Sequence, residues 1–213
     1  MSSFTYDVGY EEGRNRLTVA FRILLAIPHL IVSQVWGYLA QILAFIQWFV
    51  ILFTGKRNEG MWNLQQSWLS YYARVMGYTE LLYDQYPAFG TDPGTVPVRS
   101  AISYEESANR LTSALRLIWI IPAAIIGAIM GIAAFVVVVI SWFSIVITGK
   151  QSRGMWDFVL KVMRFTLQVQ SYGLLMTDTY PKFGEGAMAA ASSTSPPPPP
   201  PPPPPGYMPP PPA

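Results

Sequence analysis

The chain has 213 residues, of which 51% are hydrophobic and only 12% charged, about half the charged share of a typical soluble domain, so the composition points to lipid contact. A net charge of +2 is too small to argue for nucleic acid. The absence of cysteine excludes disulfides, thiolate catalysis and thiolate metal sites, and a single histidine, His29, excludes a histidine cluster.

Residues 1–9 form a leading segment. Met1 to Gly13 is polar and slightly acidic, with Asp7, Glu11 and Glu12 ahead of Arg14 and Arg16. The apolar run that follows is far longer than the roughly 7 to 15 residues of a secretory signal core. It is expected to stay in the mature protein and to direct insertion.

That run is written twice. The first copy opens Asn15-Arg16-Leu17-Thr18, carries one charge, Arg22, and closes with Trp48-Phe49 and Thr54-Gly55-Lys56. The second opens Asn109-Arg110-Leu111-Thr112, carries Arg116, and closes with Trp142-Phe143 and Thr148-Gly149-Lys150. Every pair is 94 positions apart, so residues 10–90 and 104–184 are ungapped tandem repeats joined by a linker, 91–103.

A single helix over each apolar stretch would be roughly 55 Å long against a hydrocarbon core of about 30 Å. Two arrangements remain. Each stretch folds as a hairpin of two short spans, turning near Ser33 to Gly37 and Gly127 to Gly131, or Leu17 to Ile27 lies at the interface and one span follows Pro28. No charge occurs between Arg22 and Lys56 or between Arg116 and Lys150. Hairpins gather all 14 Lys and Arg on one face, as the positive-inside rule prefers. Four spans with both termini cytoplasmic are therefore favoured over two. Pro28 and Pro122 predict kinks, and Gly37, Ala40 and Ala44, with Gly127, Gly131 and Ala134, predict close helix contacts.

Each apolar stretch precedes an amphipathic one. Met61, Leu64, Trp68, Tyr71, Tyr72, Val75 and Leu82 recur at helical spacing, as do Met155, Phe158, Val162, Phe165, Val169 and Tyr172. Both are too polar to span. They are expected to lie in the headgroup region with basic side chains reaching outward. Asp84-Gln85-Tyr86-Pro87-Ala88-Phe89-Gly90 and Asp178-Thr179-Tyr180-Pro181-Lys182-Phe183-Gly184 read as helix stops.

The tail, 185–213, changes character. Pro196 to Pro205 are ten consecutive prolines, followed by Gly206, Tyr207 and Met208. A disordered, extended polyproline segment is expected, with Pro196, Pro205, Tyr207 and Met208 as candidates for docking in an aromatic-lined groove of a cytoplasmic polyproline-binding protein.

Arg22 and Arg116 are the ionisable groups inside the apolar stretches, and an intramembrane charge is a functional candidate by default. Glu11, Glu12, Glu105 and Glu106 are their expected partners if they pair rather than snorkel. With Lys56, Arg57, Arg74, Lys150, Arg153, Lys161 and Arg164 they are the candidates for binding anionic lipid headgroups. No nucleophile with a base, phosphate loop or metal spacing occurs; the sequence predicts no enzyme, no cofactor and no metal.

The combination of Asn15 to Leu17, Arg22, Ile27 to His29, Trp48 and Phe49, Thr54 and Gly55, and Asp84 to Phe89 resembles the bacterial membrane family known as domain of unknown function 4389. The second copy departs from it at Ala123, where the first has His29. The resemblance covers residues 10 to 185 and implies an integral membrane protein with no assigned activity. The expected fold is an all-α integral membrane protein of two tandem repeats, each a transmembrane hairpin plus an interfacial helix. The expected function is that of a cell-membrane accessory or scaffold protein, binding lipid and recruiting a partner through its tail. The alternative is a small transporter or lipid-handling protein with a site at the repeat interface. Membrane lipids are the expected partners, nucleic acid is not, and a homo-oligomer is left open.

Overall fold

A computed structural model describes residues 5–92 and 94–183. The elements in order are β1 (Thr5–Val8), α1 (Arg16–Thr54), α2 (Glu59–Thr79), β2 (Val98–Ala101), α3 (Arg110–Ala114), α4 (Arg116–Thr148) and α5 (Arg153–Gly173). The candidates Pro196, Pro205, Tyr207 and Met208 lie outside the described residues.

The hairpins expected from length are absent, and so is the break expected at Pro28. Helix α1 runs unbroken for 39 residues through Pro28, and α4 runs for 33 through Pro122. Ser33 to Gly37 stays helical because it is the surface on which α2 packs. The Ser33 carbonyl accepts the Trp68 indole N–H at 2.9 Å, and Gly37 lies so close to that indole that an added Cβ would sit 3.2 Å from it. At this density of contact a turn would break more than it satisfied. Asn15 caps α1 by accepting from the Thr18 amide at 3.2 Å, and Asn58 and Asn109 cap α2 and α3 in the same way. Gly55 and Gly149 end the long helices in the left-handed conformation, at φ 74° and 76°.

Helices α1 and α4 are each long and apolar enough to cross a membrane. Helix α1 buries one stripe, running from Val19, Arg22, Ala26 and His29 to Gln47 and Ile51, and exposes large apolar side chains elsewhere, from Leu17 and Ile23 to Phe53. Helices α2 and α5 lie between these long helices and the β1–β2 ribbon. Arg74 and Arg164 do not reach outward as expected: Arg74 donates to the Gly90 carbonyl and Arg164 to that of Tyr6. Trp68, Leu69, Tyr71, Ala73, Val75 and Tyr78 of α2, with Val159, Leu160, Met163 and Leu167 of α5, are buried in the core. The leading segment and linker, expected to be plain connections, pair as antiparallel strands in the register Thr5 with Ala101 through Val8 with Val98.

The two repeats are interlocked around a pseudo-two-fold axis. The Trp48 indole donates to the Ser113 carbonyl and Trp142 to that of Val19; Trp62 donates to Met176 and Trp156 to Leu82. The Arg14 amide donates to the Gly149 carbonyl and the Ala108 amide to that of Gly55. The start of each long helix therefore meets the end of the other, and α1 and α4 run antiparallel. In the ribbon Tyr6 pairs with Ser100, its own counterpart 94 residues on, so the axis passes through the ribbon centre.

Candidate functional site

Each repeat closes on a buried arginine. Arg22 Nη1 donates to the carbonyls of Tyr78 and Tyr83 at 3.0 and 2.9 Å, and Nη2 to Asp84 Oδ1 at 2.5 Å. Arg116 does the same with Tyr172, Thr177 and Asp178 at 3.0, 2.7 and 2.7 Å. The guanidinium groups sit over the Tyr78 and Tyr172 rings, 4.5 and 4.0 Å from their centroids. The second carboxylate oxygen of each aspartate accepts the backbone N–H of the helix-capping asparagine, Asn15 or Asn109, at 2.9 Å. One carboxylate thus ties the helix start, the internal arginine and the end of the repeat together. The carbonyls are presented by a turn in which Leu81 and Leu175 take φ of 62° and 63°. This strained conformation is held in place by its surroundings.

The glutamates expected to pair with these arginines do something else. Glu12 pairs with Lys150 at 3.3 Å and Glu106 with Lys56 at 2.8 Å, both at the surface and both between repeats. A second arginine reaches each aspartate from a different position. Arg57 crosses to Asp178 at 2.7 Å, whereas Arg14 lies 3.6 Å from Asp84 and donates to Gln151, the residue that takes the place of Arg57 in the second repeat. Burial lowers the Arg14 guanidinium below its usual range, an effect Asp84 opposes.

Two cavities lie along the seam, related by the same axis. The larger, about 480 Å³, is walled by Arg22, Ile23, Thr79 and Glu80 of the first repeat and by Gly131, Ala134, Phe135, Val139, Trp142 and Thr166 of the second. The smaller, about 370 Å³, uses the counterparts Arg116, Leu117, Gly173 and Leu174 with Ala44, Phe45 and Trp48. They differ at several positions, one of which changes charge. Glu80 in the larger cavity is Leu174 in the smaller. Glu80 Oε2 is buried without a hydrogen-bond partner, and burial pushes the carboxyl up to about 8. Ile23 and Phe135 are 70% and 68% exposed, so the cavity opens onto the apolar outer surface.

The family model for the domain of unknown function DUF4389 matches residues 16–90 and again 110–184. The chain belongs to the DUF4389 family. No curated protein and no solved structure matches it. The DUF4389 repeat spans the parts that the Arg–Asp lock joins, from the first residues of the long helix to the closing Asp-x-Tyr-Pro segment. His29 belongs to that closure in the first repeat. Its Nδ1 lies 2.8 Å from the Tyr71 hydroxyl, and its ring stacks on Phe89 at 3.9 Å.

The basic residues nominated for headgroups range from buried to exposed. Arg22, Arg57, Arg74 and Arg116 are buried, and Arg74 donates to the Gly90 carbonyl at 2.7 Å. Arg164 donates to the Tyr6 carbonyl at 2.8 Å and faces Asp7 at 3.3 Å, clamping the ribbon. Lys161 lies 4.7 Å from the Phe183 ring. Lys56, Lys150 and Arg153 are exposed, each beside an acidic partner, Asp157 in the case of Arg153. The structure brings Arg22 and Arg14 together at Asp84, and Arg116 and Arg57 together at Asp178; the other basic residues are scattered. Glu80 carries no motif, and nothing in the sequence sets it apart from the other glutamates. Asp84 and Asp178 were legible as a recurrence at 94 positions, read only as helix stops.

Proposed function

We propose that this is a membrane protein that binds a lipid-like amphiphile at the interface of its repeats. One observation carries the reading: a 480 Å³ cavity, mostly apolar, opens onto an apolar surface and is lined by Glu80, one of whose carboxyl oxygens is buried without a hydrogen-bond partner. The volume lies in the range of small-molecule sites, and such sites combine apolar walls with a few placed polar groups. An acyl chain fills the space beside Phe135 and Val139, and a headgroup hydroxyl or amine meets Glu80, with the Thr79 and Thr166 side chains within the same wall. The Arg22–Asp84 lock fixes the wall without offering a free cation. This favours lipid handling over capture of anionic headgroups by the basic residues.

Native mass spectrometry of the purified protein tests this. The wild type is expected to retain about one chain-bearing lipid. An added Cβ at Gly131 meets nothing within 4 Å, so Gly131→Phe fills the cavity and is expected to abolish retention while leaving the helical circular dichroism unchanged. Equal retention by the filled variant rejects the site.

A further inference from the structure

We propose that α1 and α4 lie in the plane of the membrane, within one leaflet, and do not cross it. This rests on the membrane reading given above but not on the cavity. Three observations meet here. The first is symmetry. Because α1 and α4 are antiparallel and exchange places about the axis, crossing helices would put that axis in the bilayer midplane. The axis passes through the centre of the β1–β2 ribbon. The ribbon would then sit at the depth where lipid is most apolar, with the Asp7 side chain 67% exposed and paired to Arg164. A charge there costs several kcal/mol.

The second observation is length. A helix of 39 residues is about 58 Å long, nearly twice the hydrocarbon thickness. If it crossed, exposed apolar side chains at one end or the other, Leu17 and Ile23 or Phe53, would project into water. Turned through a right angle, the same helix keeps all of them in lipid. The third is layering. The charged side chains belong to the ends of the long helices, to α2 and α5, to the ribbon and to the segments that connect them, with none between Arg22 and Lys56 or between Arg116 and Lys150. An axis along the membrane normal places the apolar helices below, α2 and α5 at headgroup level, and the ribbon in water. The occupant of the apolar face is one leaflet, entered from the side that holds α2, α5 and the ribbon.

The natural chain has no cysteine, so single thiols report position cleanly. Lys56→Cys, Lys150→Cys and Asp7→Cys place them at the far ends of the long helices and on the ribbon, all at exposed side chains. In sealed vesicles of each orientation, an impermeant maleimide is expected to label all three from the same face. Labelling of the Lys56 and Lys150 positions from opposite faces overturns the proposal. Depth supplies a second readout. Spin labels at the exposed positions Leu24, Leu39 and Phe53 are expected at one shallow depth in one leaflet. Depths graded from one interface through the midplane to the other overturn the proposal even if labelling is one-sided. A chain recovered in the soluble fraction refutes the membrane reading itself, a different failure from opposite-face labelling.

Discussion

Arg57 reaches out of the first repeat to Asp178 of the second at 2.7 Å, where Arg116 already binds the same oxygen. The reciprocal place is held by Gln151, and there Arg14 supplies the second guanidinium to Asp84. The repeats thus keep two arginines per aspartate while drawing the second from different positions. Removing Arg57 leaves Asp178 with one arginine, strands the carbonyls of Leu175, Glu105 and Ser107 that Arg57 serves, and opens the seam. Arg57→Leu is expected to cost about 3–5 kcal/mol, read as a lowered unfolding midpoint in detergent. A loss below about 1 kcal/mol would show that the cross-repeat pair is not holding the repeats together.

Within a repeat, Arg22 and Asp84 are expected to act as one unit. Arg22→Leu and Asp84→Asn are each strongly destabilising, and the double variant is less so than the sum of the two, because each single change strands a buried partner. A double-mutant cycle on thermal unfolding measures this. Strict additivity would mean that the two residues do not interact.

Two glycines at equivalent small-residue stripes are expected to respond differently. Gly37→Leu drives a side chain into the Trp68 indole, whereas Gly131→Leu enters open space. The first is expected to lose about 1–3 kcal/mol and the second to change stability little, both measured by thermal unfolding.

Glu80 makes stability depend on pH. The unfolded carboxyl ionises near 4.5 and the folded one near 8, so between these values the native state holds a proton that the unfolded state has lost. Stability is therefore greatest below about pH 4.5 and falls as the pH rises toward about 8. Glu80→Gln is expected to flatten that decline and to raise the unfolding midpoint more at pH 7.5 than at pH 5. A parallel pH profile in the variant would contradict this.

The tail is expected to act independently of the fold. Deleting residues 196–213 should leave liposome association and the unfolding midpoint unchanged, while abolishing binding to a purified polyproline-binding domain. Loss of liposome association would tie the tail to insertion.

The repeat and the two internal arginines were legible in the sequence because each recurs at a fixed spacing of 94 residues. Of the small residues read from helical spacing, Gly37 packs against Trp68 as expected, whereas Gly131 faces the cavity. Hydropathy reports how long an apolar segment is and says nothing about its direction relative to the bilayer. The hairpins followed from assuming that Leu17 to Phe53 must run along the membrane normal. The partner of Arg22 was missed for a different reason. Glu11 and Glu12 are near in sequence, while Asp84 is 62 residues away and arrives only when α2 folds back along α1. Glu80 was illegible because what distinguishes it is its surroundings: an ordinary glutamate at a helix end becomes unusual only when α4 closes over it.

If an amphiphile occupies the seam beside Glu80, photo-crosslinking with a lipid bearing a diazirine on its acyl chain reads it out residue by residue. Adducts are expected to concentrate on Phe135, Val139 and neighbouring cavity positions and to be lost in Gly131→Phe. Adducts spread evenly over the exposed faces of α1 and α4, unchanged in that variant, would contradict that occupancy.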